Sequence, residues 1–453
     1  MARVAIVGGG LAGLAAAYQL QQDGQAFTLF EKRERLGGTV ETFRQEGFTI
    51  ECGPDGWVTE KPWARDLAVE LGLEDELITS NDHERVTWVL QQGVLLAMPD
   101  NMRMMVPESV STVMESPLFS AAARTAYVAE EQRADELKAA APEQDESVAS
   151  FVQRHFGDEV LRVIGAPLLG GVFGGDVYKL SVRAVMPAFV AMEREHGSLI
   201  RALAVRKAQR GGRAAAPVFT SLRTGTGTLV ERLIATLPAG SLRLGSEVMS
   251  VERVAAGWLV DGAPFDHLMM AAPVDAAARL MEPVDARAAE LIRKPASSAV
   301  IAGFGYAAGS SLKVPQGFGF LSPEGEDCSL LAATFSDQKY PHRAPEGAKS
   351  LRAFFGGVEA DALMGATDDT IAAAASLELE KVLGPLPAPV VTVVRRWPLS
   401  LPQYEVGHLE REAELDSRIA SVGAMHLLGN GYRGVGLPDL VRDGRAAARA
   451  VAG

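Results

Sequence analysis

The sequence has 453 residues, of which 47% are hydrophobic and 22% are charged. This composition is typical of a folded protein with a large core, and it excludes wholly disordered and collagen-like chains. Because 57 acidic residues outnumber 44 basic ones, the net charge of −13 disfavours binding to nucleic acid. The two cysteines, Cys52 and Cys328, are far apart and form no C-x-x-C pair, so we predict no metal site and a reducing, cytoplasmic location.

The first 31 residues predict a strand, a glycine turn, a helix and a second strand. Hydrophobic residues 3–7 and 27–30 predict the strands, and the Ala- and Leu-rich stretch 11–22 predicts the helix. The turn contains the G-x-G-x-x-G pattern of dinucleotide-binding folds, formed by Gly8, Gly10 and Gly13. Such a turn admits a pyrophosphate, and a carboxylate at the end of the second strand, here Glu31, accepts hydrogen bonds from the ribose. The predicted fold class is therefore α/β, with a Rossmann-type domain.

Two long uncharged stretches, residues 4–22 and 295–312, have nearly the length of a membrane span. Glycines interrupt the first stretch, and glycines and serines interrupt the second. Both are therefore too broken or too polar for a helix within a bilayer, and we expect no transmembrane helix.

NAD and FAD share the glycine pattern, and the residues that follow Glu31 favour FAD. An Arg-x-Gly-Gly motif, formed by Arg35, Gly37 and Gly38, begins four residues after Glu31. It resembles an extension found in flavoproteins of the amine oxidase and phytoene desaturase superfamily, where it lies along the FAD pyrophosphate and ribityl chain. The resemblance implies that these three residues bind FAD.

A second glycine loop precedes the predicted last helix, residues 438–451. Pro438 is a favourable first residue for that helix, because proline lacks an N–H group that would have no partner there. The positive N-terminus of a helix stabilises the negative charge that develops at the pyrimidine edge of a flavin when it accepts a hydride. The predicted flavin contacts are the residues just before this proline: Gly434, Val435, Gly436 and Leu437.

The middle of the chain contains three kinds of segment. Residues 98–210 are Met-rich and helical in pattern, which predicts a helical insertion. Residues 222–275 alternate between strand and helix patterns. Four further stretches with strand patterns predict an antiparallel sheet; they are residues 300–304, 318–321, 330–335 and 351–355.

Short blocks spread over almost the whole chain carry a more specific resemblance. They are residues 53–54, 171–176, 179–182, 192–196, 198–200, 317–321, 396–398, 402–404 and 407–411. Together these blocks resemble the oxygen-dependent protoporphyrinogen oxidases of the bacterial type. Two positions depart from the family pattern, because Pro438 stands where Asn is usual and Asp55 lies where the family varies.

The resemblance implies three interleaved domains. The FAD-binding domain would comprise residues 1–80, 214–290 and 395–453, with Val248 as a further FAD contact. The α+β substrate-binding domain would comprise residues 81–97 and 291–394, and the helical membrane-docking domain residues 98–213. The implied substrate pocket contains Gly171, Val172, Phe173, Phe320 and Phe354.

The resemblance also implies FAD-dependent, six-electron oxidation of protoporphyrinogen IX to protoporphyrin IX in haem biosynthesis, with molecular oxygen as acceptor. The FAD would be non-covalent, because we find no motif that resembles covalent attachment. No catalytic acid or base is predicted, since the flavin abstracts the hydride. The Phe-rich strands at 317–321 and 351–355 suit a substrate with vinyl groups, so we expect coproporphyrinogen III, with its extra propionates, to react more slowly.

Three other functions stay open: a coproporphyrinogen III oxidase of the same fold, a flavin amine oxidase or carotenoid desaturase, and a non-catalytic membrane-associated carrier. Seven basic and two acidic residues lie between Arg183 and Arg213. Such a patch attracts anionic lipid, which predicts peripheral attachment at the inner face of the cell membrane. A homodimer is a further arrangement that the resemblance allows.

Overall fold

The strand, helix and strand predicted at the start of the chain belong to a five-stranded parallel sheet. The computed structural model describes residues 2–211 and 216–452. Residues 4–7 of the central strand are all buried, because helices cover both faces of the sheet. Across the sheet the strands lie in the order Leu242–Arg243, Ala26–Phe30, Arg3–Val7, His267–Met270 and Met425–Leu427. The predicted Rossmann-type α/β unit is confirmed.

The first and last helices pack against each other on one face of this sheet. Helix Leu11–Gln22 lies so close to helix Leu437–Ala452 that a Cβ atom at Gly444 would be 2.3 Å from the carbonyl oxygen of Ala12. Both helices follow strands that run in the same direction. Their N-termini therefore lie at the same edge of the sheet, where the strands have their carboxyl ends.

A seven-stranded mixed sheet forms a second layer. Its strands lie in the order Val391–Pro402, Ala296–Tyr306, Lys349–Gly356, Ala332–Phe335, Gly319–Leu321, Thr87–Gln91 and Val94–Ala97. All neighbours are antiparallel except Gly319–Leu321 and Thr87–Gln91. The predicted boundary between residues 394 and 395 falls inside the strand Val391–Pro402, which pairs along its length with Ala296–Tyr306. The rest of the domain division stays a prediction.

The Met-rich segment forms a layer of helices with a core of its own. Its largest buried rings include Tyr127, Phe151 and Phe156, and Met102 and Met105 are buried with them. The helices are Ser111–Met114, Ala121–Gln132, Ala134–Ala139, Val148–Val160, Ala166–Phe173, Val182–Val185, Pro187–His196 and Leu199–Arg210. The helical character of the segment is confirmed, and its docking to a membrane stays a prediction.

The remaining strands and helices connect or cover these layers. The other strands are Thr42–Gln45, Phe48–Glu51, Trp57–Val58, Leu77–Thr79, Met102–Arg103, Val106–Pro107, Phe219–Leu222, Val251–Val254, Gly257–Val260 and Ala263–Phe265. The other helices are Trp63–Glu70, Gly227–Thr236, Val274–Met281, Ala286–Ile292, Ser336–Lys339, Gly357–Leu363, Asp368–Leu383 and His408–Val422.

A buried histidine connects the helices of the insertion. His155 Nδ1 lies 3.0 Å from Glu130 and its Nε2 lies 3.2 Å from Glu193, and the ring is fully buried. Burial disfavours the charged ring, but hydrogen bonds to the two carboxylates outweigh it and raise the pKa of His155 above its usual value. The imidazolium therefore links two acidic side chains from different helices.

We predict that the stability of the protein depends on pH through His155. A pKa raised on folding contributes stability that is fully present below the ordinary histidine pKa of about 6.5 and is lost as the pH rises through the folded pKa. His155→Gln should lower the free energy of unfolding by roughly 3–5 kcal/mol at pH 6, because Glu130 loses its buried cation and Glu193 is left with Arg154, 2.6 Å away. At pH 9 the same substitution should lower the free energy of unfolding by a smaller amount.

Urea unfolding at the two pH values measures this difference. His83→Gln is the control, because His83 is exposed. Equal losses at pH 6 and pH 9 in the His155 variant would show that the ring is not charged in the folded protein.

Candidate functional site

The three glycines of the first turn are required for different reasons. Gly8 has a φ of +114°, and a Cβ atom there would lie 2.4 Å from the carbonyl oxygen of Ala271. A Cβ atom at Gly13 would lie 2.1 Å from the carbonyl oxygen of Gly8, so the helix could not pack on its strand. At Gly10, chain neighbours aside, no described atom lies within 4 Å of the Cβ position. The space beside Gly10 is therefore open to a ligand.

The Arg-x-Gly-Gly motif lies beside this open space. The amide of Gly37 donates to the carbonyl oxygen of Gly9 over 2.8 Å. A Cβ atom at Gly38 would lie 3.2 Å from the Cα atom of Gly10. The guanidinium of Arg35 donates to three carbonyl groups of its own loop, one of them that of Gly38. Arg35 thus holds the glycine pair against the first turn.

Glu31 directly follows the strand Ala26–Phe30 and contacts the first glycine turn. Its carboxylate accepts hydrogen bonds from the amide of Gly9 at 2.8 Å and from the amide of Arg33 at 2.9 Å. Because each carboxylate oxygen can accept two hydrogen bonds, Glu31 keeps the capacity to bind ribose hydroxyls. Val248 follows a segment in which the amide of Ser246 donates to the carbonyl oxygen of Glu31. The side chain of Val248 is buried in the core, which leaves its backbone for a ligand contact.

The loop before the last helix is shaped by a buried carboxylate. Asp439, in the first turn of the helix, accepts hydrogen bonds from Lys61 Nζ at 2.6 Å and from Arg442 at 3.2 Å. A Cβ atom at Gly434, whose φ is +138°, would lie 2.7 Å from this carboxylate. The first amides of a helix have no partner within it, so Gly436 and Leu437 carry the positive end of the helix dipole.

Residues 53–61 connect the loop of the Arg-x-Gly-Gly motif to the last helix. A Cβ atom at Gly53 would lie 1.9 Å from the carbonyl oxygen of Thr39, which follows Gly38. At the other end of the segment, Lys61 forms the ion pair with Asp439. The segment therefore runs along the same side of the molecule as the predicted FAD contacts.

Asp55, in the middle of this segment, pairs with two cations, Lys339 at the end of the helix Ser336–Lys339 and Arg352 in a strand of the mixed sheet. Lys339 Nζ lies 2.8 Å and Arg352 Nη1 lies 3.3 Å from its carboxylate. Burial works against the charged carboxylate, but the two cations outweigh it and lower the pKa of Asp55 to about 2. Arg352 also lies over the ring of Phe354, 4.8 Å from the centroid. Sequence reasoning missed Lys339 and Arg352. Both lie about 280 residues or more after Asp55 in the chain, and no sequence pattern links them to it.

A second buried ion pair supports the same region. Glu51 and Arg343 are both 1% exposed and lie 3.0 Å apart. Glu51 also accepts hydrogen bonds from the hydroxyl of Thr42 at 2.6 Å and from the amide of Thr226 at 2.8 Å. Glu51 thereby joins a β-hairpin, the helix that follows Thr226 and the short 3-10 helix Pro341–Arg343.

The residues of the implied substrate pocket lie in different surroundings. Gly171 and Val172 are exposed at the end of the helix Ala166–Phe173, and the carbonyl group of Phe173 accepts a hydrogen bond from Gln403 at 3.0 Å. Phe354 and Arg352 are two positions apart in one strand of the mixed sheet, so both lie on the same face, which we call the inner face. Phe320 lies on the opposite face, where it packs against Phe335 at 6.4 Å between ring centroids. The structure does not bring Phe320 together with the others.

The predicted FAD contacts fit a dinucleotide. The carboxylate of Glu31, the open space beside Gly10 and the helix N-terminus at Leu437 all lie at the carboxyl edge of the parallel sheet. A carboxylate suits the ribose, an open glycine suits the pyrophosphate and a helix N-terminus suits the electron-rich edge of a flavin. The individual contacts stay predictions.

Comparison with known families agrees with this geometry. A model of the family described as flavin containing amine oxidoreductase matches residues 11–452. The chain belongs to this family. The predicted superfamily, the FAD cofactor and the class of FAD-dependent oxidoreductase are thereby confirmed.

Individual members of this flavin oxidoreductase family match the chain over nearly its whole length. Coproporphyrinogen III oxidase of Bacillus subtilis (strain 168) is 31% identical over 460 residues, which are 98% of this chain and 96% of that protein. The chloroplastic protoporphyrinogen oxidase of Nicotiana tabacum is 27% identical over 479 residues, which are 99% of this chain and 85% of that protein. A solved structure from Exiguobacterium sp. 255-15, named provisionally as a protoporphyrinogen oxidase, has a TM-score of 0.85 and 29% identity. The match covers 100% of this chain and 98% of that one.

The described part of this flavoprotein contains no helix that is long and apolar enough to cross a membrane. In the basic segment that predicted lipid binding, Lys207 pairs with Glu108 at 3.2 Å. Arg213 lies outside the described residues. Peripheral attachment and a homodimer both stay predictions.

We predict that Gly10→Val removes FAD from the flavoprotein and leaves the fold intact. Gly10 has a φ of −71° and a ψ of 177°, which valine adopts readily, and the new side chain would fill the open space. The purified variant should retain less than about a tenth of the FAD of the unaltered protein, as measured by visible absorbance. Gly13→Val should instead prevent folding.

Gly365→Val is the matched control, because its Cβ position is also open and its φ is not positive. This variant should keep its FAD. A Gly10→Val protein with normal FAD content would contradict the placement of the pyrophosphate.

Proposed function

We propose that this flavoprotein oxidises coproporphyrinogen III to coproporphyrin III in haem biosynthesis. The observation that carries the proposal is the match to the Bacillus subtilis coproporphyrinogen III oxidase over 98% of the chain. In the balanced reaction, the porphyrinogen loses six electrons and six protons and three molecules of oxygen become three molecules of hydrogen peroxide. FAD supplies the hydride acceptor for each of the three two-electron steps.

The residues of the chain position the substrate and support the flavin. The amides at the start of the last helix stabilise negative charge at the pyrimidine edge of the flavin. Exposed Gly171 and Val172, half-buried Phe173 and the inner face of the mixed sheet, with Phe354, provide surfaces on which a large flat macrocycle can lie. A flat ring held against the flavin would need no acid or base of its own, because loss of a hydride would leave a macrocyclic cation that can release a proton to water.

The charges near Asp55 favour a substrate with several carboxylates. Within the described residues, Lys339, Arg343 and Arg352 pair with only two carboxylates, those of Glu51 and Asp55. Two nitrogens of Arg343 and one of Arg352 are buried without a hydrogen-bond partner in the described structure. Both guanidinium groups are paired with carboxylates, but their remaining buried N–H groups lack acceptors, which is costly, so an anionic group that reached them would be bound favourably. A substrate with four propionates offers more such groups than one with two.

Protoporphyrinogen IX is the second candidate, and it is the substrate that the sequence resemblance favours. The names of the tobacco relative and of the Exiguobacterium structure support it, as does the aromatic ring of Phe354 on the inner face. Amine oxidation has weaker support. The putrescine oxidase structures are only 19% identical to this chain and indicate a shared fold.

Turnover of the two porphyrinogens measured side by side tests the proposal. We expect kcat/KM for coproporphyrinogen III to exceed that for protoporphyrinogen IX by about tenfold or more, because each buried carboxylate that finds a cation is worth at least 1–2 kcal/mol. Porphyrin fluorescence in aerobic buffer measures both rates. Faster turnover of protoporphyrinogen IX would establish the second candidate, and a flavin-loaded protein that oxidises neither would overturn both.

A further inference from the structure

The loop between the last strand and the last helix is held by side chains from other parts of the chain. Residues 429–434 lie directly before the helix N-terminus that serves the flavin. Gly429 and Gly434 have φ values of +119° and +138°, so the backbone of this loop is not fixed by a regular element. Its shape therefore depends on the contacts that reach it from outside.

Tyr404 makes two of these contacts with one hydroxyl group. Its Oη donates to the carbonyl oxygen of Asn430 at 2.8 Å and accepts a hydrogen bond from the amide of Gly434 at 3.0 Å. The side chain is 3% exposed, and burial raises the pKa of Tyr404, which keeps the hydroxyl protonated. The hydroxyl thus fixes the distance between residues that are four positions apart in the loop.

Two more buried side chains bind carbonyl groups of the loop residues that lie between Asn430 and Gly434. Lys294 Nζ donates to the carbonyl oxygen of Gly431 at 2.6 Å, and His408 Nε2 lies 2.9 Å from the carbonyl oxygen of Tyr432. The ring of His408 stacks on that of Tyr404 at 3.9 Å and 11°. Burial, and next the charge of Lys294, lower the pKa of His408 to about 4, so the ring is neutral and donates from Nε2.

We propose that Tyr404 is a positioning residue that sets the reduction potential of the flavin through this loop. The proposal rests on the proposed use of residues 434–437 at the pyrimidine edge, and it does not depend on which porphyrinogen is oxidised. An amide stabilises a developing negative charge only if it is already oriented when the charge appears. The hydroxyl of Tyr404 holds Gly434, and through it the next three residues, in one orientation.

Tyr404→Phe tests the proposal, because it removes the hydroxyl and keeps the ring that stacks on His408. Tyr306→Phe is the matched control. Tyr306 is also buried, and its hydroxyl has no hydrogen-bond partner in the described structure. Both variants are to be purified with FAD, and the reduction potential of the bound flavin and the hydrogen exchange of the Gly434 amide are then measured.

We expect the Tyr404 variant to favour the oxidised flavin by about tenfold in the two-electron equilibrium, which is a potential lower by about 30 mV. Its Gly434 amide should exchange at least tenfold faster, while the Tyr306 variant should match the unaltered protein in both measurements. Equal potentials in the two variants would overturn the proposal. So would rapid exchange of the Gly434 amide in the unaltered protein, a measurement that stands even if the Tyr404 variant does not fold.

These outcomes are distinct from failure of the proposed function. A protein that oxidises neither porphyrinogen, but whose flavin potential falls in the Tyr404 variant alone, would contradict the proposed substrate and support the role of Tyr404.

Discussion

The hydrogen bond from the amide of Gly37 to the carbonyl oxygen of Gly9 is the contact on which the site depends. It aligns two glycine segments side by side, and no side chain larger than hydrogen can stand at Gly38 without disturbing Gly10. The open space beside Gly10 exists because both segments lack side chains there. Arg35 and Glu31 then hold these segments from opposite sides, so the position of a pyrophosphate is fixed by backbone geometry before any ligand binds.

Three buried carboxylates join distant parts of the chain around that space. Glu51 binds Arg343, Asp55 binds Lys339 and Arg352, and Asp439 binds Lys61; these pairs connect the glycine loop, the mixed sheet and the last helix. Removal of one partner from such a pair typically costs 3–5 kcal/mol, because the other charge remains buried without compensation. The glycine loop, the mixed sheet and the last helix are thus connected by charges as well as by apolar packing.

Local patterns predicted the elements that depend on neighbours in sequence. The strand Arg3–Val7 and the helix Leu11–Gln22 have the predicted bounds, because apolar periodicity and the glycine turn determine them within about 20 residues. The faces of the mixed sheet could not be predicted in this way. Phe320 pairs with Ala333 and Phe354 with Ile301, and these registers place the two rings on opposite faces, which only the three-dimensional pairing determines. The pairing of Glu51 with Arg343 is beyond sequence reasoning for the same reason.

The charges on the inner face also change the argument about substrate. From the sequence alone, we expected propionates to find few partners beside the Phe-rich strands at 317–321 and 351–355. Arg352 lies two residues before Phe354 in the same strand, so alternation directs both side chains to the inner face. The net charge of −13 is spread over the whole surface and is screened beyond about 10 Å, whereas the guanidinium beside Phe354 acts at contact distance. The acidic net charge is therefore compatible with the proposed polycarboxylate substrate, because the fold places the guanidinium of Arg352 directly over the aromatic ring of Phe354.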